Sequence, residues 1–136
     1  MTRPVPPEQL LQLAGEVISR GGHFTFQTTG HSMYPAIAHG DRVILGPLPE
    51  GGARVRDVVL VGTPDGPRLH RIISTGADPS GPFLLVRGDA ETGPGERVGP
   101  EAVCGRVVRV NRPLGRWLSP RFWAATLRRI HSRITK

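Results

Sequence analysis

Hydrophobic positions change period early in the chain. After Pro6-Pro7, the residues Leu10, Leu11, Leu13, Val17 and Ile18 recur at the spacing of one helix face, and Gly21-Gly22 stops the pattern. The spacing predicts a short amphipathic helix that packs on the domain. Beyond it the apolar residues fall into short runs of strand character, which predict strands over 24–28, 42–45, 58–61, 68–73, 83–87 and 103–110. Pro47, Pro49, Gly51-Gly52 and the Gly- and Pro-bearing stretches 64–67, 79–82 and 93–100 mark the connections. The fold class expected is therefore mainly β, with a helix at the N-terminal end and no internal repeat.

A helical period returns near the C-terminal end. Ser119 as N-cap and Pro120 at the first helical position open a segment in which Trp123, Leu127, Ile130 and Ile134 share one face. Arg121, Arg128, Arg129, Arg133 and Lys136 surround that face, so the pattern predicts a basic amphipathic helix.

Charge divides the chain where the strands end. Residues 1–111 carry 11 arginines and 11 acidic residues and are neutral, whereas Arg112, Arg116, Arg121, Arg128, Arg129, Arg133 and Lys136 give the whole net charge of +7 to residues 112–136. The organisation expected is one domain over 1–111 and a basic tail over 112–136, and 136 residues suit a single core of ordinary size. Cys104 is the sole cysteine, which excludes an intrachain disulfide and a metal site of several thiolates; no cofactor or metal is expected. No run approaches the ~18–20 apolar residues that span a bilayer, and the N-terminus lacks a basic stretch followed by an apolar core. A cytoplasmic location, with the tail on the membrane face, is the expectation.

The candidate chemistry begins at Ser32-Met33-Tyr34-Pro35, between Gly30-His31 and Gly40-Asp41. Gly30 allows a tight turn before Ser32 and Pro35 stiffens the chain just after it, so a serine hydroxyl could be presented at the end of a strand. A nucleophilic serine needs a base, and the only lysine is Lys136, at the end of the tail. A histidine is the better candidate. Among His23, His31, His39, His70 and His131, His70 lies in the strand-like run 68–73, and its free pKa near ~6.5 suits a general base at neutral pH. His31 adjoins Ser32 and is expected to point away from it, and Arg71 is expected to face away from His70 by the same alternation.

The order Gly30-His31-Ser32-Met33-Tyr34-Pro35, Gly40-Asp41, His70-Arg71-Ile72, Arg87-Gly88-Asp89-Ala90 and Val103-Cys104-Gly105-Arg106-Val107-Val108 resembles the peptidase superfamily of LexA-type repressors and type I signal peptidases. Within it the chain is similar to the branch in which histidine replaces lysine, as in archaeal and endoplasmic-reticulum signal peptidases. The resemblance covers roughly 24–110. It implies a coiled β-sheet fold and a serine endopeptidase activity with Ser32 as nucleophile, His70 as base and Asp89 as the acid that orients His70. It also implies a preference for small residues flanking the scissile bond, with Met33 contributing to that pocket.

This chain departs from the family pattern twice. A second aspartate usual about six residues past Asp89 is replaced by Gly95, with Glu96 beside it, so Asp89 is the favoured acid and Glu96 the competitor. Gly30 stands where some relatives place an oxyanion-binding hydroxyl, leaving backbone N–H groups, that of Ser32 included. The chain is not expected to be a conventional membrane-spanning signal peptidase. Its expected substrate is a precursor peptide or a protein, at a membrane surface or free. For the tail, with Trp117, Phe122 and Trp123 near its start, an anionic membrane surface is the first reading, a helix docked on a partner protein or on the domain the second and nucleic acid the least favoured. The alternatives for the whole chain are a catalytically silent peptide-binding β domain and LexA-like self-cleavage. Ala14-Gly15 and Cys104-Gly105 superficially match the dipeptides of that reaction, but they fall in an expected helix and an expected strand.

Overall fold

The computed structural model describes residues 5–112. One helix, α1 (Pro7–Ser19), is followed by seven strands: β1 (Phe24–Gln27), β2 (Arg42–Gly46), β3 (Val58–Thr63), β4 (Gly66–Asp78), β5 (Gly81–Arg87), β6 (Glu96–Val98) and β7 (Val103–Asn111). They form one antiparallel sheet in the order β1-β2-β7-β3-β4-β5-β6, curled into a half-barrel. The fold is mainly β, and the C-terminal helix expected from 119 onward lies outside the described residues.

The helix and six of the strands fall where periodicity sets them. β6 is not among the expected strands, because its three residues sit inside the Gly- and Pro-rich stretch 93–100; pairing of Leu84 with Val98 and Val86 with Glu96 makes it a strand. β4 runs past the expected 73 because the polar stretch through Asp78 pairs in register with β5, from Ser74↔Leu85 to Asp78↔Gly81. The hairpin closes with the Ser80 N–H donating to Asp78 Oδ1 at 2.8 Å.

Two apolar clusters sit on opposite faces of the central strands. Leu10 and Ala14 of α1 pack with Phe26, Met33, Ile37, Val43, Leu45 and Leu60. Val59, Val61, Ile72, Leu84, Val86 and Val98 form the second cluster. β3 contributes to both, which explains its unbroken run Val58-Val59-Leu60-Val61, since a strand covered on both sides gains from apolar residues at every position. Each such side chain, fully buried, contributes roughly 1.5–3 kcal/mol. Met33 and Ile37 belong to the β1–β2 connection, so the loop that carries Ser32 is anchored in the first cluster.

Candidate active site

The Ser32 loop closes on itself at its base. The Thr28 N–H donates to Asp41 O (2.8 Å) and the Gly40 N–H to Thr28 O (2.9 Å). Thr28 Oγ1 donates to Ala38 O at 2.8 Å, and the fully buried Asp41 accepts the Ala38 N–H on Oδ2 at 2.8 Å. Within the loop, the Tyr34 N–H donates to His31 O and the Ile37 N–H to Met33 O, while Gly30 takes φ +87°, the left-handed conformation its position in the turn requires. The Tyr34–Pro35 peptide is cis. Ser32 is thereby held half-buried between an exposed His31 and a buried Met33.

His70 lies on β4, where it pairs with Val59 across β3. On the other side, β4 and β5 pair through Arg71↔Arg87, and the same register carried one residue further sets Gly88 opposite His70. The space a side chain would fill at Gly88 is taken by the serine loop. A Cβ at Gly88 would fall 2.6 Å from Ser32 O and 3.0 Å from Ser32 Cβ. Ser32 therefore packs directly against the backbone of Gly88, just beyond the end of the β4–β5 ladder. The Ala90 N–H donates to Ser32 O at 2.8 Å and fixes this approach. Met33, the next residue, turns the other way into the first cluster and accepts the Asp89 N–H on its sulfur at 3.3 Å. No hydrogen bond joins Ser32 Oγ to His70 among the described residues.

The acid beside His70 is Glu91, which lies outside the expected motif. Glu91 Oε1 stands 3.1 Å from His70 Nε2 and accepts the Gly88 N–H at 2.9 Å. The turn that presents it closes through the Glu91 N–H donating to Gly88 O. Asp89, the acid expected at His70, is instead held by Arg71, whose Nε and Nη2 donate to Oδ1 and Oδ2 at 2.8 Å each. Two factors direct it there. Its amide is engaged with Met33, and the planar fork of Arg71 matches a carboxylate bidentately. Arg71 also donates from Nη1 to Arg56 O at 2.8 Å, and it faces away from His70 as alternation requires. Glu96 is exposed on β6 and pairs with Val86; among the acids whose charge acts on His70 it comes after Glu91. The spacing of Gly88 and Glu91, one turn apart, is the only mark that Glu91 leaves in the sequence.

His70 is buried, and desolvation lowers its pKa below the ordinary 6.5 despite the opposing charges of Glu91 and Glu96; Arg68 lowers it further. Its Nδ1 is buried with no hydrogen-bond partner among the described residues. Leaving such an atom unpaired costs roughly 1–3 kcal/mol, a strain characteristic of functional sites. The other histidines are placed differently. His31 and His39 are exposed with ring centroids 5.9 Å apart, and His39 Nδ1 accepts the Gly30 N–H at 3.2 Å. That bond consumes the Gly30 amide, whereas the Ser32 and Met33 N–H groups donate to no acceptor among the described residues. Cys104 packs against α1, its Sγ 3.8 Å from Leu11 O, and burial pushes its thiol pKa up, so it is a structural thiol.

A groove of about 370 Å³ runs beside Ser32, lined by Phe26, Gly30, Met33, Leu60, Arg68 and Leu69 among others. Gly30 and Met33, expected beside the scissile bond, both border it. No protein-family model matches this chain, and a search of curated proteins finds no match. No helix among the described residues is long and apolar enough to cross a membrane.

Proposed function

We propose that the chain is a serine endopeptidase that cleaves a precursor peptide or protein, similar in mechanism to the histidine-base signal peptidases. The reading is supported by the seat of Ser32 over Gly88, opposite a buried His70 whose Nδ1 has no partner among the described residues. In this mechanism Ser32 Oγ attacks the carbonyl carbon of the scissile bond and His70 takes its proton, then returns it to the leaving amine. Glu91, facing Nε2, favours the tautomer with its proton there, which leaves the Nδ1 lone pair as the base. The uncommitted N–H groups of Ser32 and Met33 are the donors available to the oxyanion. A substrate strand lying in the groove would meet an apolar floor formed by Phe26, Leu60 and Leu69.

The test is covalent labelling with a fluorophosphonate, whose phosphorus accepts the serine oxygen as fluoride leaves. Label is expected on Ser32. His70 must be neutral to act as base and burial lowers its pKa from the ordinary 6.5, so the labelling rate should reach half its plateau only below pH 6.5. Labelling of other serines at the same rate, or a rate that already halves above pH 6.5, would overturn the assignment.

The silent peptide-binding alternative draws on the missing Ser32–His70 hydrogen bond and is separated by the same reagent, since a silent site leaves Ser32 unlabelled. Self-cleavage at Ala14-Gly15 or Cys104-Gly105 is disfavoured, because these bonds lie within α1 and β7. For the basic tail we propose attachment to an anionic membrane surface. The full chain should then bind vesicles containing anionic lipid, release them as salt screens its arginines, and bind neutral vesicles weakly. A chain ending at residue 112 should not bind, and equal retention with and without the tail would remove the membrane proposal.

A further inference from the structure

Arg112 opens the segment that holds the whole excess of positive charge, yet its side chain belongs to the Ser32 loop. It emerges from the end of β7, beside β2, with which Asn111 pairs at Arg42. Its Nε donates to Asp41 Oδ2 at 3.2 Å, and its Nη2 donates to Pro35 O at 2.8 Å and Ala36 O at 3.1 Å. The guanidinium is largely buried and the carboxylate fully so, with side-chain exposures of 16% and 0%. One planar cation thus spans three acceptors: the carboxylate at the base of the loop and two carbonyls just past Ser32-Met33.

We infer that Arg112 is a positioning residue, locking the Ser32 loop in the shape that seats the serine over Gly88. The inference rests on the proposed peptidase reading only for its kinetic consequence. Asp41 closes the loop through the Ala38 N–H, and its main chain closes it again through Thr28. These bonds tie the two ends of the loop together. The turn at Pro35-Ala36 is spanned by the bond from the Ile37 N–H to Met33 O, and Arg112 supplies the donors to its own carbonyls. The same guanidinium also meets the Asp41 oxygen that accepts the Ala38 N–H, so one residue touches both the base of the loop and its turn. Lysine is a poor substitute, because a single ammonium cannot reproduce the fork that reaches Asp41 and both carbonyls.

Amide hydrogen exchange, thermal unfolding and peptide cleavage on Arg112→Gln and Arg112→Lys in the full chain test this. Arg112→Gln should accelerate exchange at Tyr34, Ile37 and Ala38 while amides of β3 and β4 keep their protection. Arg112→Lys, which preserves a cation for Asp41, should fall between the glutamine variant and the parent. Displacing a positioned nucleophile by about 1 Å costs up to ~10²-fold in rate, so kcat for Arg112→Gln should fall roughly ten- to a hundredfold with KM changed less than about threefold. Unchanged loop exchange overturns the inference, and so does equal acceleration in loop and strands, which would mark Arg112 as a general support of the fold. If the parent chain cleaves no peptide, the peptidase reading fails, while the exchange data still decide the lock.

Discussion

Ser32→Ala and His70→Ala should each remove peptide cleavage, lowering kcat by on the order of 10⁴-fold or more, because nucleophile and base act as a unit. The double variant should be no worse than either single one, as expected when one missing partner already disables the other. Neither change should unfold the domain. Ser32 is half-buried and makes its fixed contacts through its main chain, with Ala90 donating to its carbonyl, so alanine preserves them. His70→Ala removes a ring whose Nδ1 has no hydrogen-bond partner among the described residues, and it opens a cavity beside Val59. The measurement is turnover of a peptide with small residues around the scissile bond, alongside peptide affinity and near-UV circular dichroism. Full activity in either variant would sink the assignment. Unaltered peptide binding by a parent chain that never cleaves would instead establish a silent binding domain.

Much of this architecture is legible in the sequence because two periods carry it. α1 and six strands follow from the helical spacing of Leu10, Val17 and Ile18 and from the apolar runs that feed two clusters. β6 escapes because three residues among glycines and prolines carry no period; only the register with β5 creates the strand. The site divides along the same line. Ser32 and His70 are conspicuous from local pattern and order, whereas the packing of Ser32 against Gly88 depends on tertiary structure that no local pattern records. Glu91 escapes for that reason. Its place beside His70 emerges only from the fold, whereas Asp89 lies in the expected motif and faces Arg71. Arg112 escapes for a different reason: its charge groups it with the tail, while burial and three acceptors group it with the loop, and burial cannot be read from composition.

The last expectation separates the two carboxylates. If Glu91 orients His70, then Glu91→Gln should lower kcat, because an amide neither stabilises the imidazolium nor holds the proton on Nε2. In enclosed serine triads, replacing the acid by its amide costs about 10⁴ in kcat. Glu91 is 47% exposed on its side chain, so water shares its task, and roughly a ten- to a hundredfold loss is the expected size here. Because Glu91 opposes the desolvation that lowers the pKa of His70, its neutralisation should also move the acid limb of the pH profile to still lower pH. Asp89→Asn should behave in the opposite manner. It breaks a bidentate pair with Arg71 that is partly screened by solvent, worth about 1 kcal/mol, so Tm should fall by about 3–4 °C in a chain of this size. Its kcat should stay within about threefold of the parent and its pH profile should not move. A severe kcat loss in Asp89→Asn beside a mild one in Glu91→Gln would show that the site rearranges on binding substrate, releasing Asp89 from Arg71 toward His70. Should both amides leave kcat and pH profile untouched, His70 would be working without an acid, on burial alone.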